Sequence, residues 1–203
     1  TNGNEVLLKN NYYLPMGFVT EKTATEYTLE ERDPDDFSNL NTFDKQNEFF
    51  SKATGINEDV FTIVEPSTVD FNSTVNPISQ NRTFADSNKG YDYSINLNGT
   101  SQPTNIDFKY NIEESGNYYV YCLYYGTALE TKAVNIKKDG VSVKSDSDIG
   151  RPYILNAGNF EKGQQLSVSL ENLPTGSTAN FITYVAKLND DVFKAGYNRL
   201  AEN

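Results

Sequence analysis

Histidine is missing from this chain altogether, tryptophan is missing too, and there is a single cysteine. The first absence removes the commonest general base and the commonest metal ligand, so Ser-His-Asp, Cys-His and zinc chemistries fall together. Cys122 has no disulfide partner and sits in the most apolar stretch, where it reads as a small buried hydrophobe. No glycine-rich phosphate loop follows a strand pattern, and no apolar run is long enough to span a bilayer as a helix. The start, Thr1-Asn2-Gly3-Asn4, lacks the basic and apolar regions of a signal peptide, as a soluble piece excised from something longer would.

Positive charge is scarce as well. Seventeen Lys and Arg stand against 28 Asp and Glu, a net charge of −11. Such a surface repels phosphate backbones and anionic headgroups, so no nucleic-acid partner is expected. The acidic residues do not gather into a site. Asp33, Asp35 and Asp36 surround Pro34 without the glycine of a calcium loop, and Asp146 and Asp148 are only two carboxylates. Glu113-Glu114 lies in a turn, poorly held for the paired-carboxylate work of a glycosidase. No catalytic residue, metal ligand or cofactor is therefore expected.

What the chain does have is aromatic residues, 14 Tyr and 12 Phe. They concentrate in residues 106–126, IDFKYNIEESGNYYVYCLYYG. Ile106, Phe108, Tyr110 and Ile112 alternate with polar residues, the period of a half-buried strand. Residues 113–117 break the pattern, with Gly116 available for the positive φ of a tight turn. The following run to Tyr125 is almost wholly apolar, which predicts a covered, central strand and a hairpin with the first. Alternation recurs at Tyr91–Leu97 and at Leu166–Leu170, and Phe181–Leu188 reads as a last strand. Asp139-Gly140 predicts a two-residue hairpin pairing Ile136 with Val143.

Two segments change period. NTFDKQNEFFSKATG, residues 41–55, reads as a helix capped at Asn41 or Thr42 and stopped at Gly55, burying Phe43, Phe50 and Ala53. From Asp190 to about Ala201, Phe193, Tyr197 and Leu200 recur at helical spacing behind Asn189 and two aspartates. The expected fold is mainly β, an antiparallel β-sandwich or jelly roll with a small N-terminal helical region and a short C-terminal helix. The expected division is residues 1–65 as a helical and loop region packing on the sandwich, 66–189 as the sandwich, and 190–203 as the C-terminal helix.

Binding is the function class left open. Tyr119, Tyr121 and Tyr125 share one face of the central strand. If that face is open, it offers sugar rings a stacking platform; if it is covered, it is core, and its apolar run favours the covered reading. Arg151 and Tyr153 provide a loop cation and an aromatic suited to a hydroxylated or anionic ligand, or simply a loop.

Several blocks together resemble one family. YYLPMGF followed by FDKQNEFFSKATGINEDVF is similar to the LP-x-G-(F/Y) … QN … (S/T)G … VF pattern of the YfhO-like bacterial integral membrane proteins. The matching positions are Leu14, Pro15, Gly17, Phe18, Gln46, Asn47, Thr54, Gly55, Val60 and Phe61. FKYNIEESGNYYVY, NAGNFEKGQQLSVSL and YVAKLNDDVFKAGYNRL follow in the family's order. The resemblance implies a non-catalytic extracytoplasmic domain on the outer face of a bacterial membrane, with the helix at 190–203 leading toward a membrane segment outside the chain. Its parent would be a multi-pass glycosyltransferase drawing on a lipid-linked sugar and, in Gram-positive bacteria, acting on teichoic acid. The implied partners are the parent's own membrane region and a cell-envelope glycopolymer, with the catalytic carboxylates outside this chain. An independent carbohydrate-binding module and a purely structural domain are the alternatives.

Overall fold

Period-2 patterning becomes strand through most of the chain that the computed structural model describes, residues 42–71, 78–80, 90–96, 104–126, 134–146, 153–176 and 178–201. In chain order the elements are α1 (Thr42–Thr54), β1 (Phe61–Val64), β2 (Thr68–Phe71), β3 (Ile78–Gln80), β4 (Tyr91–Asn96), β5 (Thr104–Asn111) and β6 (Gly116–Gly126). Then follow β7 (Val134–Lys138), β8 (Val141–Asp146), β9 (Tyr153–Phe160), β10 (Gln165–Leu173), β11 (Thr178–Leu188) and α2 (Asp190–Ala201). All pairings are antiparallel. One sheet runs β3-β4-β11-β6-β9 and the other β2-β5-β10-β7-β8. β11 is long enough to hold β4 along its first half and β1 along its second. The protein is the antiparallel β-sandwich expected, with a helix before it and one after.

The core is the row of side chains that each sheet turns inward. Ile106, Phe108 and Tyr110 of β5, Leu166, Val168 and Leu170 of β10, and Val134 and Ile136 of β7 come from one sheet. Tyr91, Tyr118, Val120, Cys122, Phe160 and Phe181 meet them from the other. Phe108 stacks on Phe181 across the gap with centroids 4.8 Å apart. Buried hydroxyls are satisfied on backbone carbonyls. Tyr110 donates to Thr183 O at 3.0 Å, and Tyr91 reaches Thr68 O and Lys109 O at 2.8 and 2.9 Å.

Two sequence expectations need correction. β5 and β6 do not form a hairpin: they belong to opposite sheets, and residues 112–115 arch from one to the other. Both strands carry a full apolar row, and a sandwich buries two such rows by setting them face to face. Gly116, at φ 159°, is in nearly extended backbone and makes no tight turn. A Cβ there would lie 2.9 Å from Cε of Lys187, the flexible end of that side chain. The Asp139-Gly140 hairpin does form, with both residues at positive φ. However, Lys138 pairs with Val141 and Ile136 with Lys144, because a register shift lies between Ile136 and Lys137. The bulge leaves Val141 and Val143 68% and 48% exposed and roughens the edge strand β8 against pairing with another chain.

Candidate functional site

Alternation on β6 sends Tyr118, Val120 and Cys122 into the sandwich and Asn117, Tyr119 and Tyr121 to the outer face of that sheet. Beside them on that face lie Ile182, Tyr184 and Ala186 of β11, Phe61 and Ile63 of β1, and Ile154 of β9. A face so apolar needs a cover, and α1 provides it. Phe43 is fully buried in this second cluster, 5.1 Å centroid to centroid from Phe61. Asn47 fastens the helix to the sheet edge, accepting from Phe61 N–H and donating to Phe61 O, both at 2.8 Å. Gly55 at φ 69° ends the helix, its N–H on Ser51 O at 2.7 Å.

α2 leaves the end of β11 behind Asn189, whose side chain accepts the Val192 N–H at 3.3 Å. It meets α1 where Gly196 lies under Phe50; a Cβ at 196 would stand 2.2 Å from Phe50 Cζ. The two helices and the uncovered corner of the sheet enclose a cleft of about 530 Å³. Phe49, Phe50, Phe61, Tyr119 and Phe193 make it aromatic. Gln46 from α1, Asn117 from β6, Asn156 from β9 and Asp190 from α2 supply its polar groups. Asn156 is the cross-strand partner of Tyr119, next to a register shift, and its Oδ1 accepts the Gly158 N–H at 2.8 Å. Asn117 Nδ2 reaches Asp190 Oδ2 at 3.4 Å. Burial, and then the charge of Asp190, push the Tyr119 hydroxyl above its ordinary value, so it stays a neutral donor and acceptor at physiological pH.

A smaller hollow of about 210 Å³ is lined by residues 62–65 together with Glu113, Glu114, Tyr118 and Lys187. Its two adjacent glutamates do not act as a facing pair. Glu114 binds Lys187 Nζ at 2.5 Å, and that hydrogen bond and charge lower its carboxyl from the ordinary 4.5. Among the described residues, no three acidic or sulfur side chains are grouped to hold a metal ion.

Of the tyrosines expected to meet sugar, Tyr119 lines the cleft, half-buried, with its ring edge-on to Phe61 at 5.5 Å. Tyr121 is only 3% exposed in the cluster beneath α1, its ring 6.0 Å from that of Tyr184. Tyr125 pairs with Asn180 and Tyr153 with Cys122 through the backbone; their side chains, and all of Arg151, lie outside the described residues. Asp33, Asp35, Asp36 and Asp148 lie outside them too. Sequence reasoning missed Asn117 and Asn156. Asn117 shares the period of Tyr119 and was legible on that ground; Asn156 reaches the site only through strand pairing.

A comparison with curated proteins finds no match. Among solved structures the chain is similar to carbohydrate-binding modules. A family 61 module, TmCBM61, solved with β-1,4-galactotriose, gives a TM-score of 0.43 at 14% identity over 61% of this chain and 90% of that one. A family 35 module from Clostridium thermocellum gives 0.35 at 12% over 61% and 96%. A family 36 module with calcium and xylotriose gives 0.36 at 16% over 61% and 97%. Likenesses this distant do not bear on what this chain binds. The family model for the bacterial membrane protein YfhO matches residues 1–203. Among the described residues no helix is long and apolar enough to cross a membrane, yet over its whole length the chain belongs to the YfhO family of bacterial membrane proteins.

Proposed function

We propose that this chain is a non-catalytic extracytoplasmic domain of a YfhO-family membrane protein, and that it positions a glycan acceptor for the membrane region it caps. The parent is read as a glycosyltransferase that uses a lipid-linked sugar and modifies teichoic acid or another cell-envelope glycopolymer. Family membership supports the membrane setting. The single observation that carries acceptor positioning is the open cleft between α1, α2 and β6, of a size that takes a small ligand, with aromatic walls and four amide or carboxylate side chains. The test is to express the full-length parent with Tyr119→Ala or with Asn117→Ala/Asn156→Ala and measure sugar transfer to the polymer. Transfer reduced about tenfold or more at unchanged protein level supports the reading, and unchanged transfer removes it.

A second reading, in which the cleft receives a segment of the parent's membrane region and has a purely structural role, is favoured by the lining itself. Four of its five aromatic residues are Phe, which offer a sugar no hydroxyl, and Phe49 is 51% exposed. The two readings part on one measurement: a structural cap loses protein level or assembly when Phe49 is replaced by Ser, whereas an acceptor site loses transfer alone. An independent carbohydrate-binding module is the weaker alternative, because among the described residues only one tyrosine lines the cleft.

A further inference from the structure

The open hydrogen-bonding atoms of the cleft specify more than a glycan in general. Resting on the acceptor-positioning reading, we infer that the site takes an uncharged sugar residue of the polymer and excludes its anionic groups. The Gln46 side chain, on the exposed side of α1, makes no hydrogen bond with another described residue, so its amide offers both a donor and an acceptor. The Asn156 amide spends its oxygen on Gly158 N–H and keeps its NH₂. Asn117 gives one N–H to Asp190 and keeps its oxygen and its other N–H, and Asp190 keeps its second carboxylate oxygen. Donors therefore stand at Asn156, Gln46, Tyr119 and the second N–H of Asn117, and acceptors at Asn117, Asp190, Gln46 and Tyr119.

A hydroxyl uses both kinds at once, giving its proton to one side and its lone pairs to the other. A phosphate or carboxylate offers acceptors only and would leave the Asn117 oxygen and Asp190 unmatched. The charges agree. Among the described residues lining the cleft no Lys or Arg occurs and Asp190 is the one charged group, in a chain of net charge −11. The aromatic walls complete the match, since a pyranose has an apolar C–H face beside its hydroxyl edge. A negatively charged polymer is thus held by its sugar, with its phosphates left in solvent where counterions screen them.

The test is an NMR titration of the 203-residue chain with glucose, galactose, N-acetylglucosamine, maltose, glucose 6-phosphate, glycerol phosphate oligomers and dodecyl maltoside. Expected are saturable shifts at Asn117, Tyr119, Asn156 and Asp190 for at least one uncharged sugar, with affinity at least about tenfold weaker for the phosphorylated ligands at low salt. Asp190→Asn, nearly isosteric, should narrow that gap, and Gln46→Ala on the exposed side of α1 should weaken the uncharged sugar while leaving the fold's spectrum intact. No saturable shift with any sugar overturns the inference. So does binding of dodecyl maltoside without maltose, which would assign the cleft to an alkyl chain, or equal affinity for phosphorylated ligands. The parent assay separates the two claims: lost transfer in the cleft variants with no sugar bound by the chain removes this inference and leaves acceptor positioning standing.

Discussion

Asn47 shows how a polar residue becomes buried when the backbone asks for it. Edge strand β1 pairs with β11 on one side only, and the Asn47 amide takes a donor and an acceptor of Phe61 on the other. Asn47→Ala would strand both groups, at a cost of about 2–3 kcal/mol by the usual penalty for lost buried hydrogen bonds. The expected outcome is a lower urea midpoint with α1 exchanging its amides faster. Gly196 answers to a different constraint. Gly196→Ala gains helix propensity of about 1 kcal/mol but drives a methyl into Phe50. The net expectation is mild destabilisation and a displaced Phe50, read as a lower melting temperature together with altered sugar titration, because Phe50 lines the cleft. Tyr110→Phe removes the hydroxyl that reaches Thr183 O across the core and should cost about 1–2 kcal/mol.

At the scale of elements, pattern and register have separate sources. β6 reads as apolar on both faces, whereas the inward rows of β5 and β10 were legible as alternation, because burial on one face of a strand imposes period 2. Which strands pair was not, since an apolar row is satisfied equally by a neighbour in its own sheet or by the opposite sheet; hence the misread hairpin at residues 106–126. The β7–β8 hairpin makes the same point within one turn. Asp-Gly specifies a two-residue loop, but the shift beyond it depends on where the partner strands hold Ile136. Ile136→Ala should therefore cost about 2–5 kcal/mol, while Val141→Thr on the exposed edge should stay within about 0.5 kcal/mol. Chemical denaturation of the two variants checks the contrast.

For the whole molecule, the ionisable groups predict how stability follows pH. Burial raises the hydroxyls of Tyr110, Tyr118 and Tyr119 above the ordinary 10.0, with nearby Tyr91, Glu114 and Asp190 adding to each in turn. Burial opposes the charge on Lys137, yet its hydrogen bond to Glu171 and the charges of Asp107 and Glu171 hold it above the ordinary 10.5. A group that binds its proton more tightly when folded contributes stability below its unfolded pKa and loses it as pH rises through the folded one. The melting temperature should thus hold steady through neutral pH and fall above about 10, and in Tyr110→Phe it should fall less steeply there. Glu114 acts in the opposite direction. Its lowered carboxyl contributes above 4.5 and loses that contribution as pH drops through the folded value, an effect kept small by full exposure.

The sequence alone determined the class of fold and the two helices, one stopped at Gly55 and the other capped by Asn189, because these follow from local period and from which residue types are present. It also carried the family, through ordered blocks whose structural part is visible in Asn47 and Gly55. The tertiary structure alone decided that Tyr121 is cover for α1 while Tyr119 is cleft wall, although both occupy one face of one strand. It alone brought Asn156 and Asp190 beside Asn117 from strands and helices far apart in the chain. The physical reason is that periodicity reports which face a side chain takes, whereas what covers that face is set by elements packed from elsewhere.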